Sequence, residues 1–542
     1  MQRSEYRPRS IRGLISQSGT WVKMDDLAAN REDRKNVTQQ EEDITEAMRS
    51  PTDARHGPSS TAQPAVEANA SEGRRGHHRR SHSHSHYRVY KRRWFGLLQL
   101  VLLNIVVSWD WLTFAPVSTT SAEYFNVSET AINWLSTGFL FSFIVMSPIV
   151  IWTLNRSPKE AIIWSSVLIL IGNWIRYAGT RASGGVYGAV MFGQILCGLA
   201  QPFVLAAPTR YSDLWFTESG RVSATTVASL ANPFGGALAQ LINPIWATKA
   251  ENIPNMVLYV SIISTIAALP AIFIPAKPPT PPSASSSLPK ISLKASIQRL
   301  LHSSSFYLIF IPFSVYVGFF NSFSSLLNQI LYPYGYTESE AGICGALLIV
   351  VGLIVAACTS PILDRTHAYL LGIKILVPLV AISYLALIFA PQTRSLAAPF
   401  VLASILGASS FSLVPIALEY LVEVTFPASP EVGSTVCWAG GQLLGGIFIV
   451  AMNALKDGTA DLKKVSSKGR GAGVGNRPPG NMYLALIFEA VIALAVVPLP
   501  LCLGVKKLGL GEGKVNGRLR VDEAEDSDGG VVEGAEGENG RS

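Results

Sequence analysis

Charged residues are scarce in this sequence: Asp, Glu, Lys and Arg make up 15% of its 542 residues, whereas a typical soluble domain carries about 25%. Hydrophobic residues make up 49%. The charges that are present crowd into the two ends of the chain and a few short segments. Much of the chain therefore faces something other than water, which excludes a soluble globular protein.

Motifs for catalysis and cofactor binding are also missing. The five cysteines lie in apolar stretches, and no two of them have the spacing of a disulfide framework or a metal site. No glycine-rich phosphate loop, catalytic triad or zinc-ligand spacing is present in a suitable context. These absences argue against an ATP-driven pump and against an enzyme, and they predict neither a metal nor a cofactor.

The two ends of the chain are polar. Residues 1–87 and 506–542 lack any apolar period and are expected to be disordered cytoplasmic tails, the second one acidic. The first tail carries a histidine-rich tract between residues 77 and 86, which is able to bind metal or anionic lipid; its interleaved arginines favour a solvated basic tail. The net charge of +7 suits membrane topology signals better than a nucleic-acid patch, so no nucleic-acid partner is expected.

Long apolar segments define the rest of the chain. A helix that spans a bilayer needs about 20 apolar residues, and twelve segments meet that test. The Pro- and Ser-rich stretch 277–303 predicts a flexible cytoplasmic linker between a six-helix bundle at 88–276 and another at 304–505. Two such bundles are the architecture of the major facilitator superfamily, so the sequence predicts an all-α membrane protein of that fold. Members of that superfamily usually work as monomers, and a monomer is expected. The segments are 94–117, 131–154, 160–178, 186–208, 222–246, 256–275, 304–331, 341–363, 369–390, 397–422, 431–454 and 480–504.

Basic residues near the segment ends predict orientation. Residues 88–93 (RVYKRR) precede the first segment and place the N-terminus in the cytoplasm, and an even number of spans returns the C-terminus to the same side. The basic loop 455–479 disagrees, either because long loops escape the rule or because a late segment is misassigned; we favour the first. Asn126 begins a glycosylation sequon in the short first outer loop. A multi-pass protein of the plasma membrane is expected.

Asp110 lies in the densest polar cluster of the spanning segments, between Trp109 and Trp111. Intramembrane ionisable residues are costly and are functional candidates by default. A carboxylate beside an indole face suits an organic cation or a proton. The alternative is that Asp110 bonds a neighbouring helix while the tryptophans form an interfacial belt.

Other polar residues in the spans add to this candidate site. Gln201 follows Gln194 by seven residues on one helix face, Asn321 lies in the seventh segment, and Gln442 lies between glycines in the eleventh. Each amide either lines a substrate path or bonds a neighbouring helix. In the fifth segment, Pro and Gly beside the amides favour a packing role.

Charged residues at the predicted cytoplasmic ends favour a salt-bridge latch between the two halves over substrate binding. Positions after the second and eighth segments are equivalent in the two halves, and two glutamates lie one turn apart in the tenth. The residues predicted for this latch are Arg156, Arg210, Asp364, Arg365, Glu419 and Glu423.

The sequence resembles a particular family, the feline leukaemia virus subgroup C receptor-related transporters, between about residues 88 and 505. The segments that carry the resemblance are 90–95 (YKRRWF), 133–136 (NWLS), 174–176 (WIR), 193–201 (GQILCGLAQ), 208–210 (PTR), 325–329 (SLLNQ) and 419–427 (EYLVEVTFP).

This resemblance implies transport of choline and ethanolamine, and in some members of haem. It implies a cation site at Trp111, Phe139, Gln201 and Gln442. The family's tyrosine is replaced here by Asn321, and Asp110 replaces a neutral residue, which favours a different cationic substrate. The leading hypothesis is alternating access to a small organic cation; proton-coupled transport of another solute and a non-transporting sensor or scaffold are the alternatives.

Overall fold

The computed structural model describes residues 89–280, 282, 293–366, 368–425, 428, 430–458 and 477–504. These residues contain twelve long helices and no strand. The tails predicted at 1–87 and 506–542 lie outside the described residues. The long helices are α1 (Arg92–Trp111), α2 (Glu129–Arg156), α3 (Pro158–Arg181), α4 (Tyr187–Leu205), α5 (Glu218–Trp246), α6 (Ile253–Ala268), α7 (Ser304–Leu331), α8 (Glu338–Thr366), α9 (Tyr369–Leu387), α10 (Ala397–Thr425), α11 (Pro430–Ala454) and α12 (Tyr483–Ala495).

Eleven stretches of the described chain are long and apolar enough to cross a membrane, and they include every long helix except α5. Helix α5 has sufficient length at 29 residues but is too polar. Its amides are buried against other helices: Gln240 Nε2 donates to the Ser324 carbonyl of α7 at 2.8 Å, and Asn243 Nδ2 donates to the Thr113 carbonyl at 2.9 Å. A polar helix is tolerated at membrane depth when neighbouring helices bond its polar groups.

The helices pack as two sets, α1–α6 and α7–α12, which contact one another mainly along two seams, α5 with α8 and α2 with α11. The first seam is tight because a Cβ atom on Gly342 of α8 would lie 2.2 Å from the carbonyl oxygen of Gln240. Large apolar side chains such as Val145, Ile245 and Phe273 are exposed on the outside, as expected of surfaces that face lipid.

Successive helices run in opposite directions, which gives the molecule two ends. We call the upper end the one where α1, α7 and α11 terminate and α2 and α8 begin, and the lower end the opposite one. Short helices at Ser118–Phe125 and Ala207–Trp215 lie at the upper and lower ends respectively.

Two segments differ from the sequence expectation. Helix α1 ends at Trp111 instead of near residue 117, and a short 3-10 turn follows at Ala115–Val117; Pro116 lacks an N–H and disfavours a helical residue before it. The predicted flexible linker contains a ten-residue helix, Leu293–His302. Its buried residues Ala295 and Leu300 are held because the helix packs on α7 and α11.

Candidate functional site

A cavity lies where the two bundles meet. Residues of α1, α4 and α5 form one side, and residues of α7, α9, α10, α11 and the segment after α12 form the other. Of the six residues that the sequence analysis assigned to a binding site, four line this cavity: Trp111, Gln201, Asn321 and Gln442.

Trp111 is the last residue of α1 and projects its indole into the cavity, 3% exposed. Its ring centroid lies 6.4 Å from that of Phe320 in α7, with the two rings tilted. Its Nε1–H is buried and has no hydrogen-bond partner among the described residues. A buried indole N–H normally has a hydrogen-bond partner. This unpaired donor is therefore available to a bound molecule.

The side-chain amides of Gln201, Asn321 and Gln442 differ in their hydrogen bonding. Asn321 Nδ2 of α7 donates to Gln442 Oε1 of α11 at 3.1 Å, so these two residues fix each other. The Oε1 atom of Gln201 in α4 is buried and accepts no hydrogen bond from the described part of the chain. The cavity therefore offers a buried donor on Trp111 and a buried acceptor on Gln201 that have no partner among the described residues.

Aromatic rings supply most of the remaining wall near these groups. Phe320 and Phe411 contact edge to face with centroids 5.3 Å apart, and Phe313 and Trp438 do the same at 5.3 Å. Tyr316 also lines the cavity, and its hydroxyl donates to the Ala493 carbonyl at 2.9 Å. No Asp, Glu, Lys, Arg or His belongs to the lining formed by the described residues.

Asp110 adjoins Trp111 in sequence but faces the interior of the first bundle. Its carboxylate is fully buried and pairs with Arg176 of α3, Nη1 to Oδ1 at 3.1 Å. Asn173 Nδ2 donates to Oδ2 at 2.7 Å, and Ser264 Oγ of α6 donates to Oδ1 at 3.5 Å. Consecutive helical residues point about 100° apart, so the carboxylate and the indole serve different neighbours.

A side chain of α4 fixes the end of α1 at this point. Gln194 Nε2 donates to the carbonyl oxygens of Asp110 and Trp111, at 3.0 and 3.3 Å. These carbonyls belong to the last turn of α1, where intrahelical donors run out. The predicted common face of Gln194 and Gln201 is thus divided: Gln194 bonds the backbone of α1, and Gln201 lines the cavity.

Phe139 of α2 is fully buried and is not among the cavity-lining residues. Its backbone contacts α4 closely, because a Cβ atom on Gly198 would lie 2.6 Å from the Phe139 carbonyl oxygen. The structure places Phe139 in the contact between α2 and α4, beside the helix that carries Gln201.

The upper end is closed by polar contacts between the bundles. Lys456 Nζ pairs with Glu129 Oε2 at 2.8 Å, with both side chains mostly buried. The amides of Asn133 and Gln329 bond each other, with Gln329 Nε2 donating at 2.7 Å and Asn133 Nδ2 at 3.3 Å. These residues join α2 to α7 and to the end of α11.

Glu338, the first residue of α8, adds a second set of contacts at the upper end. Its carboxylate accepts the backbone N–H groups of Thr119 and Thr120 at 3.2 and 3.4 Å, the Thr120 hydroxyl at 2.8 Å and the Asn328 amide at 3.1 Å. A carboxylate at a helix N-terminus satisfies amides that have no intrahelical partner. The short helix Ser118–Phe125 is tied in this way to the second bundle.

At the lower end the predicted latch is only partly described. Arg156 pairs with Glu160 at 3.3 Å, and both are exposed. Arg210 pairs with Asp213 at 3.5 Å. Between the bundles, the hydroxyls of Thr209 and Ser434 lie 3.2 Å apart.

The remaining members of the predicted latch lie in α8 and α10. The side chains of Asp364 and Arg365 lie outside the described part of the structure. Glu423 is buried and Glu419 is half-buried in the last turns of α10. The role of these residues in a latch stays a prediction.

Asn126 of the glycosylation sequon is exposed and follows the helix Ser118–Phe125 in a left-handed conformation, φ 52°. Ser128 of the same sequon caps α2, since its side chain accepts the Ala131 N–H. Both residues therefore have local structural roles, and glycosylation stays a prediction.

Sequence reasoning missed several residues of the site. Ser229 and Asn232 of α5 line the cavity. Pro and Gly beside Asn232 favoured packing, and its amide does donate to Asn104 of α1, but Ser229 was not considered. Trp438 of α11 and Phe320 of α7 were not singled out; their signal is that each lies four residues or fewer from a predicted amide, Gln442 or Asn321, on the same helix.

Comparison with known proteins identifies the class of protein that this fold and cavity define. The sequence model of the Major Facilitator Superfamily matches residues 100–450. A bacterial homologue of the human lysosomal transporter Spinster, in an inward-facing and unoccupied conformation, aligns with a TM-score of 0.55 and 15% identity over 76% of this chain and 97% of its own. The transporter FucP in an outward conformation aligns with a TM-score of 0.53 and 14% identity, over 76% of this chain and 99% of its own. These likenesses establish the fold.

Sequence relatives narrow the family. Solute carrier family 49 member A3 of Danio rerio is 34% identical, over 68% of this chain and 80% of its own. The choline/ethanolamine transporter FLVCR2 of Homo sapiens is 26% identical, over 68% of this chain and 73% of its own. The choline/ethanolamine transporter FLVCR1 of Felis catus is 27% identical, over 80% of this chain and 78% of its own. The chain belongs to the Major Facilitator Superfamily, in the group that contains solute carrier family 49 member A3 and these two transporters. The family expected from the sequence is confirmed, and the chain is a multi-pass membrane transporter, not an enzyme.

Proposed function

We propose that this chain transports a small organic cation of the choline or ethanolamine type by alternating access. The observation that carries the proposal is the uncommitted pair inside the cavity: the Trp111 indole N–H and the Gln201 Oε1 are both buried and unbonded within the described structure. Its relatives FLVCR1 and FLVCR2 carry choline and ethanolamine in their names, which supports this substrate class.

The lining chemistry suits a cation held by rings and dipoles. An ammonium group over the face of Trp or Phe is attracted by the ring quadrupole, by about 0.5–2 kcal/mol and more when water is excluded. Trp111, Phe320 and Phe411 offer such faces. Gln201 Oε1 accepts an ammonium N–H or a hydroxyl, and the Trp111 N–H donates to a hydroxyl oxygen. The hydrogen-bonded pair of Asn321 and Gln442 adds polar groups to the cavity wall.

The role of Asp110 in this proposal is to position Trp111. Because its carboxylate is already paired with Arg176, its charge is compensated inside the first bundle. This pairing also weighs against Asp110 as the titrating group of a proton-coupled mechanism.

The cavity favours a small cation over haem. No His, Cys or Met belongs to the lining contributed by the described residues, and neither does any basic residue that would pair with carboxylate groups. The hydroxyl of Tyr316 is bonded to a backbone carbonyl. An anionic, iron-containing substrate therefore lacks both kinds of partner here.

Movement of the substrate requires the bundles to rock about the cavity. The contacts of Glu129, Asn133 and Glu338 close the upper end in this structure. They must break when the cavity opens on that side. We further propose a plasma-membrane location with both termini in the cytoplasm, which makes the upper end extracellular; the basic residues 88–93 support this orientation.

The test is uptake of radiolabelled choline and ethanolamine by proteoliposomes containing the full chain. We expect uptake above that of empty liposomes, and a loss of at least tenfold in Trp111→Ala. Phe273→Ala, an exposed position in the 3-10 helix Leu269–Phe273 that follows α6, is the matched control and should transport normally. Uptake that survives Trp111→Ala unchanged would show that the site lies elsewhere. A protein that moves neither compound, and loses its cellular role when residues 1–85 are deleted, would favour a scaffold.

A further inference from the structure

The cavity is much longer than a choline-sized solute requires. Along α7 its lining extends from Asn321 to Leu308, thirteen residues, which corresponds to about 20 Å of helix. Near Asn321 the lining includes Gln442, which is hydrogen-bonded to it, and Phe320, whose ring centroid lies 6.4 Å from that of Trp111. Below that level the wall has a different composition.

This lower portion, which we call the apolar arm, lies within the second bundle. Mostly apolar side chains of α7, α9 and α10 and of the segment after α12 line it, and the hydroxyl of Tyr316 is already bonded to a backbone carbonyl. It is bounded by Leu308, Pro312, Ile373, Val377, Ala417 and Leu503. An apolar cavity of this kind gives water no hydrogen-bond partners and instead accepts apolar groups.

The arm ends close to the lipid-facing surface. Ile373 of α9 is 3% exposed, whereas Ile375, two residues further on, is 58% exposed on the opposite face of the same helix. One helix thickness therefore separates the arm from the surroundings of the bundle. A chain of methylene groups in the arm has an apolar environment along its whole length.

We propose that the substrates of this transporter include single-chain amphiphilic amines, with the ammonium head at Trp111 and Gln201 and an alkyl tail in the apolar arm. This inference rests on the proposed function for the head group and adds the substrate class. A tail fills a space that choline and ethanolamine leave empty.

The absence of charge in the lining restricts the head group. No Lys, Arg or His of the described chain lines the cavity, so a phosphate would be buried without a cation or a charge-assisted donor, which is costly. Phosphate-bearing amphiphiles are therefore excluded by this chemistry. Long-chain primary amines and alkyltrimethylammonium ions satisfy it.

The experiment measures binding of alkyltrimethylammonium ions, from methyl to octyl, to the purified full chain in nanodiscs by calorimetry. Each methylene that enters the arm should tighten binding by up to about fourfold, the transfer value for one buried methylene. In Ala417→Phe, which places a ring in the arm, the ratio of octyl to methyl affinity should fall by at least tenfold. Ala417→Leu is the milder variant if the larger one does not fold, and it should lower the ratio by a smaller factor.

Ile375→Phe is the matched control, because it adds a similar ring on the lipid-facing side of α9; it should keep the wild-type ratio. Partition of the tails into the nanodisc lipid is the same for all variants and cancels in the comparison. If tetramethylammonium and choline do not bind at all, the proposed function fails. If they bind but the ratio is flat with chain length, or is unchanged by both Ala417 variants, only the amphiphile inference is overturned.

Discussion

Asp110 and Trp111 are neighbours on α1, both are buried, and they belong to two different regions of the molecule. The carboxylate of Asp110 has an ion pair and two side-chain hydrogen bonds inside the first bundle. The indole N–H of Trp111 has no partner in the described chain and faces the cavity. A buried polar group that is satisfied holds the fold together, whereas an unsatisfied one at a cavity is available to a ligand.

The same division separates other residues that look alike in sequence. Gln194 and Gln201 of α4 both carry a buried Oε1 without a partner among the described residues, but the Nε2 of Gln194 donates to the backbone of α1, whereas Gln201 lines the cavity. Trp109 donates its Nε1–H to Asn243 Oδ1 at 3.0 Å and stacks on Trp246, whereas Trp111 does neither. Substitutions at these pairs test the comparison directly.

The largest expected effect is on stability, in Asp110→Ala. Removing one partner of a fully buried pair leaves Arg176 charged and unpaired, which costs about 3–5 kcal/mol. We expect little folded protein after solubilisation and a strongly lowered unfolding temperature by scanning fluorimetry.

The double variant Asp110→Asn with Arg176→Gln is the control, because it removes both charges together. It should recover most of the lost stability, and it should still bind choline. A stable Asp110→Ala protein that has lost only ligand binding would place the carboxylate in the substrate site, and the comparison would be broken.

The next effect is on ligand affinity, in Gln201→Leu. Losing an acceptor for a charged donor costs about 1.5 kcal/mol or more, so ethanolamine should bind about tenfold more weakly in calorimetry. Choline has no ammonium N–H and should lose less. Gln194→Leu is the matched control. It should lower the unfolding temperature, because two α1 carbonyls lose their donor. Its effects on ethanolamine affinity and on choline affinity should differ less than those of Gln201→Leu.

A smaller effect is expected from Trp111→Phe, which keeps a ring face but removes the N–H. Loss of a neutral hydrogen bond to the ligand hydroxyl costs about 1 kcal/mol, or about a fivefold weaker choline affinity. Trp109→Phe should instead keep the affinity and lower stability by a similar amount. If both variants change affinity equally, the two indoles are not functionally distinct.

The smallest effect is expected at the upper end, in Lys456→Ala. The ion pair of Lys456 with Glu129 is mostly buried but reaches solvent at its edge, so it is worth about 1 kcal/mol or less. Opening of that end should become easier, which changes transport rate by about twofold and leaves equilibrium affinity nearly unaltered. Lys249→Ala, whose pair with Glu251 is exposed, should change neither quantity.

Much of the fold could be predicted because membrane helices are long apolar runs. Eleven of the long helices satisfy that rule, and α5 was assigned despite its amides because its length and neighbours fit a span. The break after Trp111 was not predicted although Pro116 signals it, and the helix Leu293–His302 was not predicted because it depends on packing against α7 and α11.

The candidate site was predicted only in part. Trp111, Gln201, Asn321 and Gln442 were assigned and lie together in the cavity. The orientation of the Asp110 side chain could not be predicted from the sequence, because it depends on an ion pair with Arg176, 66 residues later in the chain. The segment 174–176 that contains Arg176 carries part of the family resemblance, but nothing in its spacing pairs it with residue 110.

The polarity of α5 bears on how the protein is assembled during synthesis. The acceptor for the Gln240 amide is the Ser324 carbonyl of α7, and the close partner of the Gln240 backbone is Gly342 of α8; both are translated after α5 has left the ribosome. Until they arrive, the insertion machinery must shelter an amide that hydrocarbon does not tolerate. We therefore expect the first six helices, expressed alone, to be recognised by quality control as unfinished, although by count they form a complete half.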